Sequence, residues 1–422
     1  MLLLQGPMGP FFANLADVLE QHSINVGKVH FNGGDAWFYG RRPADRYTGT
    51  LEQWSAWLAQ RLRSQRIDAI VLVGQVRPVH EAAIAVAREL GVRCYVFEEG
   101  YLRPDFVTLE TGGVNAWSPL SRDAKAYGER RSRMPKPTPT GQRFWRTAWI
   151  AAQYSFTSTV ARPFFGPLPH HRTLNPITEP LRWVRSGWRK LRYAWTQRHE
   201  LERLCAPEAA RRWYLFPLQV ANDSQVTHHS PFGSMTEAID AVLASFADHA
   251  PAKTSLVVKH HPMDRAYTDY RSLLHRRARE FGLEGRIHYV HDLHLPTLLR
   301  HTRGVVTVNS TVGLQAMYHR APVCVLGESF YAIPGLVHGA GLSSFWRTAA
   351  VPDAALFARF RAHLQRHTQL NASFYAAAPG LDHLLCVPAQ VSHQQGLAPP
   401  DSRHYAAQQP LGRAALAKLL TG

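Results

Sequence analysis

Cysteine is scarce in this chain: four residues in 422 (Cys94, Cys205, Cys324 and Cys386), with no CxxC pair. That spacing suggests neither a disulfide framework nor a zinc site. Long apolar runs are missing as well. No stretch approaches the roughly 20 residues that a bilayer-spanning helix needs. Leu2–Leu4 is too short for a signal peptide and has no charged region before it. A cytoplasmic protein is the expectation. Nucleotide fingerprints are also lacking. Gly6-Pro7-Met8-Gly9-Pro10 is not GxGxxG, and Pro10 sits where that fingerprint needs freedom; no Walker A pattern occurs. The 23 histidines form adjacent pairs (His170-His171, His228-His229) rather than i, i+4 ligand pairs, and there is no HExxH. No internal repeat is found beyond two α/β halves.

What is present is charge of one sign, unevenly placed. The net charge is +17, and residues 122–212 hold 19 Lys or Arg against 6 Asp or Glu. One fifth of the length therefore carries an excess of 13 positive charges, while the flanking regions are close to neutral. The hydrophobic share of 45% allows a sizeable core, and the length suits two domains.

Residues 1–120 alternate strand and helix patterns, as expected of a Rossmann-like parallel sheet. Strands are predicted at Met1–Leu4, Ile24–Phe31, Ala69–Val73 and Val92–Phe97. Helices are predicted at Phe11–Gln21, Leu51–Gln65 and Val79–Leu90, with Asn32-Gly33-Gly34-Asp35 as a closing turn. Residues 121–211 differ: an extended Pro135-Lys136-Pro137-Thr138-Pro139 linker precedes aromatic residues mixed with Arg at helical spacing. Arg143 and Arg146 lie among Phe144, Trp145 and Trp149. Further on, Arg182, Arg185, Arg189 and Lys190 lie among Trp183, Trp188 and Tyr193. Such helices suit a membrane interface and anionic headgroups. Packing at a domain junction and single-stranded nucleic-acid binding are the other readings, and no nucleic-acid module is recognised. Residues 212–385 return to α/β alternation, and 386–422 form a Gln-, Pro- and Ala-rich tail with a last helical stretch at Leu411–Leu420.

The chemistry-bearing residues sit at strand ends, where open α/β sheets bind ligands. Ser255–Val258 is a buried strand followed at once by Lys259, His260, His261 and Pro262. A second strand, Gly304–Val308, leads into Asn309-Ser310-Thr311 and a helix, whose free N–H groups suit a phosphate. Together the two turns form a candidate cradle for a phosphorylated ligand. Glu98 and Glu99 end another strand, and one of them is expected to act as general base or acid. Two Rossmann-like domains facing a cleft, with a basic aromatic helical insert between them, is the GT-B architecture.

Several longer stretches carry a family likeness. LLLQGPMGPFF, FNGGD, FEEGYLRPDFVTLE, PLQVANDSQV, VKHHPMDRAYTDY, HDLHLPTLL, NSTVGLQAM and LGESFYAIPGL resemble the capsule polysaccharide biosynthesis family, in its branch of retaining β-Kdo glycosyltransferases. The resemblance spans roughly residues 1–375. It implies transfer of 3-deoxy-D-manno-oct-2-ulosonic acid (Kdo) from CMP-β-Kdo to a (lyso)phosphatidylglycerol acceptor, starting the poly-Kdo linker of capsular polysaccharide. It also implies a peripheral position on the inner membrane of a Gram-negative cell, beside a KpsC-like Kdo transferase and the capsule export machinery. No cofactor is implied, and the lack of Asp-X-Asp fits a metal-independent enzyme. On this likeness Asp223 is the nucleophile and His261 faces the departing phosphate. Lys259, His260, Pro262, Gln219, Asn309, Ser310 and Thr311 line the donor, and Glu99 or Glu98 takes the acceptor's proton. Other readings remain: another CMP-sugar transferase, or a non-catalytic membrane adaptor.

Overall fold

Continuous apolar, β-branched runs make strands that are buried on both faces. In the computed structural model Ala-Ile-Val-Leu-Val at Ala69–Val73 stands at the centre of one sheet, and Leu-Val-Val within Ser255–Lys259 is an interior strand of the other. The structure describes residues 1–128, 136–141, 143–168, 178–221 and 223–376, without the side chains of residues 179 and 180. The expected tail and its helix at 411–420 lie outside the described residues, as do Pro135, Asn222 and the His170-His171 pair.

Two compact units emerge: Met1–Leu120 with Arg130–Pro176 and Arg361–Gly422, and Ser121–Glu129 with Ile177–Phe360. In the first, strands β1 (Leu2–Leu3), β2 (Gly27–His30), β3 (Asp45–Arg46), β4 (Ala69–Val73), β5 (Arg93–Glu99) and β6 (Val107–Thr111) share one sheet. β1 to β5 pair in parallel, whereas β6 turns back antiparallel on β5. Helices α1 (Phe11–Gln21), α2 (Gly33–Tyr39), α3 (Leu51–Ser64), α4 (Pro78–Glu89) and α5 (Phe144–Val160) belong to this unit. Phe11, Leu15 and Leu19 of α1 pack with Val71, Val73 and Phe97 in its core.

The Asn-Gly-Gly-Asp stretch is not a closing turn but the start of α2, with Asn32 Oδ1 accepting from Asp35 N at 2.9 Å. Its glycines serve close packing. A Cβ on Gly33 would meet the Thr157 carbonyl oxygen at 2.3 Å, and one on Gly34 the Tyr154 ring at 2.6 Å. At these two positions of α2 only glycine fits against α5.

The second unit has an all-parallel sheet. Strands β7 (Trp213–Pro217), β8 (Ser255–Lys259), β9 (Ile287–Val290), β10 (Gly304–Thr307) and β11 (Val323–Val325) run in the order β11-β10-β7-β8-β9. Around them lie α6 (Thr178–Thr196), α7 (Glu200–Cys205), α8 (Ser224–His228), α9 (Met235–His249), α10 (Arg271–Glu280), α11 (Leu295–His301), α12 (Val312–Tyr318) and α13 (Leu342–Thr348). Tyr214, Phe246, Phe345 and Trp346 form an aromatic centre in its core.

The unit boundaries differ from the segments read in the sequence. The basic stretch 121–211 is not one insert, since α5 goes with the first unit and α6 and α7 with the second. The division also falls within α14 (Ala354–His367), after which β12 (Gln369–Leu370) pairs antiparallel with β6. A two-residue strand has no periodicity to read, and its place depends wholly on the partner it finds.

Candidate active site

In the second unit the carboxyl ends of three adjacent strands, β10, β7 and β8, carry the predicted residues side by side. The loop after β7 ties them together. Gln219 Nε2 donates to Asp223 Oδ2 at 3.0 Å and to Asn309 Oδ1 at 3.1 Å, and Asn309 N donates back to Gln219 Oε1 at 3.2 Å. Asn309 Nδ2 reaches the Gln225 carbonyl at 2.7 Å. Asp223 Oδ1 accepts from Gln225 N at 2.9 Å, capping α8. The Asp223 carboxylate is thus fixed through both oxygens. On the other side, Ala221 N donates to Asp264 Oδ2 at 3.2 Å, joining this loop to the His-Pro turn after β8. Burial holds the Asp264 carboxyl above its ordinary range.

Within that turn the two histidines part. His260 is 2% exposed and bonds Tyr289 Oη at 2.7 Å through Nδ1; burial pushes its pKa down to about 4. It packs among Tyr270, Tyr289 and His291, a neutral structural side chain. His261 is half-buried and caps a short 3-10 turn, Pro262–Asp264, its Nδ1 accepting from Met263 N at 3.2 Å. Pro262 is exposed. Lys259 is 7% exposed and donates no hydrogen bond to any described residue. The nearby Asp292 is committed to Arg265, whose Nε donates to it at 2.9 Å. Burial lowers the Lys259 pKa to about 8, so the side chain is a desolvated cation at neutral pH. A buried cation without a partner is costly unless an anion joins it. At the third strand end Thr311 is the N-cap residue of α12 but makes no side-chain cap, and the Ser310 Oγ before it accepts from Val312 N at 3.2 Å. Tyr331 Oη donates to the Ser310 carbonyl.

In the first unit, Glu98 and Glu99 lie on β5 itself, which runs two residues past the apolar stretch that ends at Phe97. Alternation along the strand separates them: Glu98 is half-buried and Glu99 exposed. Burial, opposed by the Glu99 N–H and the Arg77 charge, holds Glu98 above the usual carboxylate range. A Cβ at Gly74 (φ +69°) would lie 3.9 Å from Arg77 Nε and 4.0 Å from Glu98 Oε2, so the two charges flank that glycine. Arg77 Nη1 is held by Gln5 Oε1 at 3.0 Å.

The helix α6 is fastened by polar and aromatic groups and shows an apolar stripe to solvent. On α6, Leu181, Val184, Trp188, Leu191 and Trp195 are 58–73% exposed and recur every three or four residues. Its opposite face holds the unit: Tyr193 stacks on His291 at 3.5 Å, and Arg189 Nη1 donates to the Arg265 carbonyl at 2.7 Å. Arg189 therefore faces inward, against the sequence expectation of a lipid contact. Arg182 stacks over Tyr267, and Arg146 bonds the Tyr375 carbonyl. Arg185, Lys190 and Trp183 are exposed, as is Arg143 ahead of α5. On α5, Trp145, Trp149 and Phe156 are exposed while Ile150 and Tyr154 are buried.

The model of the family described as "Capsule polysaccharide biosynthesis protein" matches residues 68–375. The chain belongs to this family. It is 43% identical to the capsule polysaccharide export protein KpsS of Escherichia coli, over 89% of this chain and 96% of that one. It is 38% identical to the capsule polysaccharide modification protein LipB of Neisseria meningitidis, over 89% and 91%. Among solved structures, a KpsC of Thermosulfurimonas dismutans described as a β-Kdo 2,7 transferase aligns with a TM-score of 0.41 and 12% identity. It covers 85% of this chain and 88% of that one. Both sites fall in or beside stretches that carry the family likeness. Sequence reasoning passed over Asp264, Arg265 and Asp292, although all three lie inside quoted stretches (VKHHPMDR and HDLHL). Their signal was a carboxylate and an arginine just after the His-Pro pair. Arg77, 21 residues before Glu98 in the sequence, gave none.

Proposed function

We propose that this family member is a retaining β-Kdo transferase. It moves Kdo from CMP-β-Kdo to (lyso)phosphatidylglycerol at the inner-membrane surface, starting the poly-Kdo linker of capsular polysaccharide. The observation that carries the reading is Asp223, anchored through both oxygens by Gln219 and Gln225, beside a strand end that holds a buried cation, Lys259, with no hydrogen-bond partner among the described residues. In the proposed reaction an Asp223 oxygen attacks the anomeric carbon, and the bond from that carbon to the CMP phosphate oxygen breaks. The electron pair leaves with CMP, and Lys259 and His261 stabilise the departing phosphate. The acceptor hydroxyl then displaces Asp223, giving its proton to a carboxylate. Two inversions retain the β configuration. Glu98 suits that last role better than Glu99, because it is half-buried where Glu99 is exposed, and burial holds its carboxyl above the usual carboxylate range, which makes it the stronger base. The exposed apolar stripe of α6, beside Arg185 and Lys190, supports a peripheral membrane position.

The test is the intact mass of the protein after incubation with CMP-β-Kdo and no acceptor. The expected result is one Kdo residue added to the wild type, mapped to Asp223, and none on Asp223→Ala. Transfer from UDP-sugars alone would end the Kdo reading. Wild-type rates in both Asp223→Ala and His261→Ala would end the site assignment.

A further inference from the structure

Among the described residues the second sheet ends at β9, and the outer edge of that strand borders an open groove of about 800 Å³ between α6–α7 and α10. In the ladder to β8, Leu256 N donates to Arg286 O and His260 N to Val290 O. The alternate residues, Ile287 and Tyr289, therefore turn their N–H and C=O groups outward, into the groove. Unpaired edges of this kind are templates for another strand.

One register of that template is already filled by an imitation. The Gln197 side chain donates from Nε2 to Tyr289 O at 3.1 Å and accepts at Oε1 from His291 N at 3.0 Å. Those are the two bonds that a residue of a parallel neighbour opposite Val290 would make with its own N–H and C=O. The next register, Ile287 O and Tyr289 N, has no partner among the described residues.

The groove is also basic. Four arginines line it, Arg192 and Arg203 from α6 and α7 and Arg271 and Arg279 from α10, against two carboxylates, Glu200 and Glu284. Glu200 pairs with Arg203 at 2.7 Å, whereas Arg271 and Arg279 have no carboxylate partner among the described residues. A phosphate could use the arginines but would meet an outward-facing acceptor at the Ile287 carbonyl. A peptide has a donor for that carbonyl and an acceptor for Tyr289 N–H. The alternation of main-chain groups selects a peptide, and the arginines select an acidic one.

We propose that this groove binds an extended acidic segment of a partner protein, added parallel to β9 beside Gln197, with its carboxylates on Arg271 and Arg279. The inference stands apart from the transferase reading. The probe is fluorescein-labelled Val-Glu-Val-Glu-Val-Glu-Val, titrated with the full-length protein and followed by anisotropy. Saturable binding is expected, weakened roughly tenfold or more by Arg271→Ala with Arg279→Ala, and as much by N-methylation of the peptide's central amides, which keeps its charge. The methylated peptide tests the strand pairing on unaltered protein, so a variant that fails to fold leaves the proposal exposed to refutation. Equal binding of the methylated peptide, or full displacement by inorganic tripolyphosphate at matched charge, would make the groove a simple anion site and overturn the proposal. Absence of binding up to millimolar peptide would overturn it as well.

Discussion

Lys259 is a residue in which burial and charge oppose each other. Its folded pKa, lowered to about 8, leaves it cationic at pH 7 and neutral as pH rises past that value. If the cation grips the donor phosphate, CMP-β-Kdo affinity should hold level to about pH 7.5 and fall above pH 8. Lys259→Met should bind weakly and without that alkaline decline; isothermal titration across pH checks both. Glu98 makes the converse case. As a base it works ionised, so its raised pKa should place the acidic limb of kcat/KM above the ordinary carboxylate value near 4.5. Glu98→Gln should abolish that limb and slow transfer by roughly 100-fold or more, while Glu99→Gln keeps both limb and rate. A pH–rate profile of each variant separates the two carboxylates.

At the scale of one element, α6 reverses the usual arrangement of a surface helix. Ser186, Arg189, Tyr193 and Gln197 at its end hold it to the unit, while the leucine and tryptophan stripe stays in water. Each large side chain that leaves water contributes about 2 kcal/mol. Trp188→Glu with Leu191→Glu should therefore cut binding to phosphatidylglycerol vesicles by two or more orders of magnitude, with the melting temperature little changed. Vesicle co-sedimentation and calorimetry read the two effects. Raising the salt concentration should weaken wild-type binding, since Arg185 and Lys190 are exposed. The aromatic–basic mixture of α6 was legible in its sequence, but which face turned outward was not. Helical spacing marks a stripe without saying what covers it.

At the scale of the whole molecule, buried neutral histidines occur in both units. Burial lowers His30 and His260 to about 4, His291 to about 3, and His80 well below its ordinary value. The unfolded chain binds protons at these sites below about pH 6.5, and the folded chain does not until far lower. Stability is thus complete above pH 6.5 and drops as pH falls toward 4, by on the order of a few kcal/mol for each of His30, His260 and His291. Denaturant melts between pH 7.5 and 4.5 should show that fall. His260→Gln, which keeps a partner for Tyr289 Oη, should reduce its slope.

The sequence alone determined the apolar parallel strands, though not β3, β6 or β12, because an apolar run closed by Pro, Gly or Asn has few foldings open to it. Ser255–Lys259 with its His-Pro turn, and Gly304–Thr307 with Asn309-Ser310-Thr311, stand where their composition put them. Their adjacency around β7 was decided in three dimensions, as were the inward turn of His260 and Arg189 and the separation of Glu98 from Glu99. So were the return of β12 to the first sheet and the division of the basic stretch between the two units. The physical reason is common to all of these. Local pattern fixes backbone conformation through near neighbours, whereas burial and pairing are properties of partners tens or hundreds of residues away.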